Sequence, residues 1–94
     1  MPSVAIRAFR GTRRSSVYRE HVLDGAAFER IAAGWPQEFD KAGARRLAEE
    51  LTALRASAVM LDLDDDLTAI AELARWCSRA TGDAWLRIGP RTGV

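Results

Sequence analysis

The chain has 94 residues, of which 48% are hydrophobic and 29% charged, with a formal net charge of +1. Those values fit one globular α/β domain over residues 1–94, and they exclude a chain too polar to bury a core. A single cysteine, Cys77, excludes an intrachain disulfide, and no apolar run approaches the ~20 residues needed to cross a bilayer.

The neutral total hides an uneven distribution. Residues 1–21 carry five arginines and one glutamate, residues 22–66 carry ten acids and five bases, and residues 67–94 carry four arginines and two acids. A basic N-terminal segment therefore precedes an acidic middle, and a cytoplasmic location fits the absence of any secretory pattern. Of the 14 basic residues 13 are arginine, a bias that points to a GC-rich, bacterial genome rather than to a function.

Taken in chain order, Ser3 to Phe9 predicts a strand, Gly11 a turn and Val17 to Leu23 a second strand, together an N-terminal hairpin with a basic tip. Asp24 is placed to cap a short helix carrying Phe28, Ile31, Ala32 and Trp35 at helical spacing, which Gly34 and Pro36 end. Asp40 is placed to cap a longer helix whose apolar stripe is Ala44, Leu47, Ala48, Leu51 and Leu54. Ala58 to Leu63 is apolar without alternation and reads as a buried inner strand. One of Asp64, Asp65 and Asp66 should cap a helix from about Leu67 to Thr81, ended by Gly82, before a last strand over Ala84–Ile88. The predicted order is ββααβαβ: a four-stranded mixed sheet, with the hairpin followed by a right-handed βαβ unit and helices packed on the sheet.

Val59-Met60-Leu61-Asp62-Leu63-Asp64 resembles the first motif of haloacid dehalogenase-type phosphatases. That resemblance implies Asp62 as nucleophile and Asp64 as general acid beside Mg²⁺. It covers about ten residues, and Asp65-Asp66 stands where the family has Gly-Thr. The residues themselves read as a loop and helix start, where carboxylates favour the positive end of the helix dipole. Leu47 to Ile88 is similar in element order to STAS domains, and Leu23-Asp24-Gly25 with Trp35-Pro36-Gln37-Glu38-Phe39 resembles the opening segment of barstar-like ribonuclease inhibitors, both of them binding modules. Each lacks its family's defining loop or helix here.

His21 is the only histidine, and there is no Walker loop, no Gly-x-Gly-x-x-Gly and no zinc-ligand pair. The expectation is a protein that is not an enzyme, with no catalytic residue, cofactor or metal. Two surfaces stand out for binding: the hairpin arginines Arg10, Arg13, Arg14 and Arg19, interleaved with Phe9 and Tyr18, and the acidic corner Asp64, Asp65 and Asp66. Trp76, flanked by Arg75 and Arg79, is the tryptophan placed to anchor an interface, whereas Trp35 and Trp85 are expected in the core. The first functional reading is a protein-binding module, as an inhibitor, antagonist, immunity-type or adaptor protein. The second is nucleic-acid or phosphate binding through the hairpin, and a homodimer through the edge Ser3–Phe9 is a further expectation.

Overall fold

The computed structural model describes residues 3–11, 17–32, 34–57 and 62–90. The hairpin forms as the alternation predicts: β1 (Ser3–Arg10) pairs antiparallel with β2 (Val17–Asp24). Gly11, at φ 89°, takes the left-handed conformation that a residue with a side chain avoids. Asp24 caps α1 (Gly25–Ile31), its Oδ1 accepting from the Ala26 amide at 2.7 Å. The chain then passes through the two-residue β3 (Glu38–Phe39), and Asp40 caps α2 (Lys41–Arg55) by accepting from the Gly43 amide at 2.7 Å.

α2 buries Ala44, Leu47, Ala48 and Leu51 of the predicted stripe, leaves Leu54 partly buried against the core, and packs along α3 (Asp64–Arg79). β4 (Ala84–Pro90) closes the fold. No helix among the described residues is long and apolar enough to cross a membrane.

The sheet is four-stranded, as expected, but antiparallel throughout, in the order β2-β1-β4-β3. Among the described residues the element order is ββαβααβ, where the sequence predicts ββααβαβ. Among the described residues the fourth strand is the two-residue β3. Residues 58–61 lie outside the described residues, and Asp62 and Leu63 form a short 3₁₀ turn. β4 already has a neighbour on each side. β1 pairs along one edge, while Glu38 and Phe39 pair with Arg87 and Leu86 on the other, where the Ile88 amide also donates to the Gln37 carbonyl at 2.8 Å. Among the described residues no strand pairs parallel with β4. Leu63 is buried in the core beside the two packed helices, so its apolar character serves the helix layer.

The register sorts each strand into two faces. Ile6, Ala8, Leu23, Leu86 and Ile88 join the helix residues Leu47, Leu51, Leu67 and Ile70 in one core. Phe9 and Trp85 pair on the opposite face, their rings stacked with centroids 4.1 Å apart. Trp85 therefore does not join the helix-covered core as expected, because its neighbours Ala84 and Leu86 take that face and successive strand residues alternate. β1 lies inside the sheet, so Ser3–Phe9 is not the open edge expected for a homodimer. The sheet's outer strands are β2 and β3.

Cys77 is fully buried in α3, and burial pushes its thiol up to about 11, with Asp40 adding to the shift and Lys41 opposing it. The folded state thus holds this proton more tightly than the unfolded chain. Stability from this group is complete below the ordinary thiol value of 9.0 and is lost as pH rises toward about 11. A thiol reagent at neutral pH is expected to label Cys77 only after urea unfolding. Rapid labelling of the native protein would contradict its burial.

Candidate functional site

The hairpin and the C-terminal half of α3 meet at the helix-facing side of the sheet. Regular alternation along β2 from Leu23 through His21 to Arg19 points Tyr18 away from the helices. The register shifts between Ala8 and Phe9, where Ala8 pairs with Arg19 and Phe9 with Val17, leaving Tyr18 as the extra residue. Such a bulge re-aims a side chain. Here it goes with Tyr18 lying on Trp76 of α3, ring centroids 4.5 Å apart and 11° from parallel.

Two of the sequence-predicted arginines converge on these rings, one of which is the predicted Trp76. The Arg10 guanidinium carbon sits 5.0 Å from the Tyr18 ring centre and 5.8 Å from that of Trp76, and Arg19 sits 5.6 Å from Tyr18. A guanidinium held against a ring is attracted by the π face, by about 0.5–1 kcal/mol at exposed sites, and keeps its N–H edge for an oxyanion. Arg75 and Arg79 complete the surface, because residues 72, 75, 76 and 79 recur at helical spacing on one side of α3. Arg10, Arg19, Arg75, Arg79, Trp76 and Glu72 line a groove of about 520 Å³. Four cations against one carboxylate leave it with a local charge of +3.

Arg13 and Arg14 lie outside the described residues. Phe9, grouped with Tyr18 when the hairpin is read as a string, is on the other face of the sheet with Trp85.

The acidic corner is largely paired within the fold. Asp64 Oδ1 accepts from Arg55 Nε at 3.2 Å, and Asp66 Oδ1 accepts from His21 Nε2 at 2.8 Å, tying α3 to β2. Asp62 accepts two bonds from Arg30, at 2.6 and 3.2 Å, which hold its carboxyl below the usual carboxylate range. Asp65 is exposed and has no side-chain partner among the described residues. None of the three caps α3 through its side chain. Leu63 occupies the N-cap, and Asp64, Asp65 and Asp66 fill the first turn, where carboxylates suit the dipole. Ten residues of helix separate Asp65 from Arg75, about 15 Å at 1.5 Å per residue, so the acidic and basic groups do not converge.

Among the described residues no cluster of three His, Cys, Asp or Glu side chains is placed to hold a metal. A separate groove, of about 700 Å³, sets Glu38, Asp40 and Asp83 against Arg46 around Trp85, three carboxylates to one cation. The arginine–aromatic surface gathers four cations and two stacked rings from the hairpin and from α3. Arg75 and Arg79 were legible only as flanks of Trp76. Their meeting with Arg10 and Arg19 depends on how the hairpin lies against α3.

In comparisons with known proteins, the chain matches no protein-family model, no curated protein and no solved structure.

Proposed function

We propose that the chain is a non-catalytic protein-binding module that captures an acidic partner on its arginine–aromatic surface. The observation that carries this reading is the convergence of Arg10, Arg19, Arg75 and Arg79 on the stacked Tyr18–Trp76 pair. Arginine, tryptophan and tyrosine are the side chains that concentrate binding energy at protein interfaces, where rings form a dry centre and charges a selective rim. The local charge would also steer an acidic partner toward the surface and speed its association. Such a role suits an inhibitor, antagonist, immunity-type or adaptor protein.

Nucleic-acid binding is the second reading, favoured by the same arginines beside aromatic rings. Two features weigh against it. The chain's sequence pI is about 8.0 at a net charge of +1, below the strongly basic balance typical of such domains. Tyr18 and Trp76 also turn a face to each other, and arginines lie against them, instead of offering open faces to bases.

The double variant Arg10→Gln/Arg19→Gln is expected to weaken binding of a glutamate-rich peptide at least about tenfold while the far-UV circular dichroism is unchanged. Asp65→Asn, at the far end of α3, is expected to leave that affinity within about twofold. Peptide binding that ignores the arginine changes would refute the reading. Tight binding of an oligothymidylate, with none of the peptide, would replace it with the nucleic-acid one.

A further inference from the structure

A second groove, of about 430 Å³, runs between α2 and α3 and adjoins the arginine–aromatic surface, sharing Arg75 and Arg79 with it. Arg45 and Glu49 of α2 line its other side, with the small side chains of Thr52 and Ser78 between. Three guanidiniums face one carboxylate, a local charge of +2. The Arg45–Glu49 pair is loose, 3.9 Å apart with both side chains at least 70% exposed, so solvent screens it and Arg45 is available to a ligand. Arg75 is drawn toward α2, its Nη2 3.5 Å from Thr52 Oγ1. Both hydroxyls spend their protons on backbone carbonyls, Thr52 on Ala48 at 2.9 Å and Ser78 on Arg75 at 2.9 Å. The N–H groups that remain for an incoming oxyanion come from the arginines.

Resting on the protein-binding reading above, we propose that this groove receives a phosphorylated serine or threonine of the acidic partner. A single carboxylate brings one negative charge and leaves the groove positive. A phosphoryl monoester brings about −1.5 to −2 at neutral pH and offers three oxygens to planar guanidinium forks. The shared Arg75 and Arg79 favour a phosphate carried on a chain, because a segment bound in the Trp76 groove already meets the two arginines that line the α2–α3 groove. A free ion makes no use of the adjoining rings.

The test is a calorimetric titration with a glutamate-rich peptide carrying one phosphoserine, the same peptide with serine or glutamate at that position, inorganic phosphate alone, and an oligothymidylate. The phosphoserine peptide is expected to bind about tenfold more tightly than the serine peptide, and more tightly than the glutamate one. In Arg45→Gln, a change at an exposed position that keeps the helix, the phosphoserine-to-serine ratio is expected to fall to about one. In Arg10→Gln/Arg19→Gln both affinities fall and the ratio persists. A ratio near one in the wild type, or a ratio unaltered by Arg45→Gln, overturns the phosphoryl site but leaves the acidic-partner reading standing. Inorganic phosphate that binds as tightly as the phosphoserine peptide also overturns it, in favour of a simple anion site. Indifference of every peptide affinity to Arg10 and Arg19 overturns the acidic-partner reading itself, as does an oligothymidylate preferred over all peptides.

Discussion

Replacing Leu86 by alanine is expected to remove about 3 kcal/mol of folding stability, within the usual range for a leucine truncated in a closed core. Leu86 is fully buried at the middle of β4, with Ala8 of β1 paired on one side and Phe39 of β3 on the other. Its side chain faces the layer formed by α2 and α3, so its loss opens a void bounded by sheet and helices together. Ala8 is itself small, which leaves little neighbouring bulk to relax into the space. A domain of this size has roughly 5–15 kcal/mol in total, so the change consumes a large fraction of it. Urea denaturation should show a lower midpoint at an unaltered slope, because the extent of surface exposed on unfolding hardly changes. The neighbouring exposed change Arg87→Ala should stay within about 0.5 kcal/mol. Equal effects at the two positions would mean that the two faces of β4 are wrongly assigned.

Local chemistry was what the sequence made legible. Asp24 and Asp40 cap the helices expected of them, and the stripe Ala44, Leu47, Ala48 and Leu51 is the buried face of α2. Both hairpin strands fall where alternation and Gly11 place them. The fourth strand was hidden because Glu38–Phe39 is too short to show a period of two, and its existence is decided by the edge that β4 offers. The inner strand expected over Ala58–Leu63 falls mostly outside the described residues, of which Leu63 is buried in the core. The basic surface was half legible. Arg10, Arg19 and Trp76 can each be picked out by type, but the bulge at Tyr18 and the seating of the hairpin on α3 are tertiary facts. The acidic corner misled in the opposite way. Asp62, Asp64 and Asp66 look like a free negative patch in one dimension, and each finds a basic side chain from a distant segment or from the end of α2 in three.

Trp76→Ala is expected to have the second-largest effect, and to act on stability and binding at once. The indole is half-buried, packs against the core and stacks on Tyr18, so it joins β2 to α3 at the Arg10 and Val17 end of the hairpin. Its truncation should cost about 2 kcal/mol, less than for a fully enclosed aromatic because part of the ring already meets water. Tyr18→Ala removes the other half of the stack. In a double-mutant cycle by urea denaturation the two changes should couple by about 0.5–1.5 kcal/mol, the worth of an aromatic pair beyond the area it buries. The same cycle read in peptide affinity carries the functional consequence. Arg10 is held against both rings, so once they are gone its guanidinium is free to sample many rotamers and must be ordered again on binding. Arg10→Gln should therefore weaken the glutamate-rich peptide strongly in the wild type and much less in Trp76→Ala. If Arg10→Gln costs the same affinity in both backgrounds, the rings do not position the arginine, and the surface acts through its charge alone.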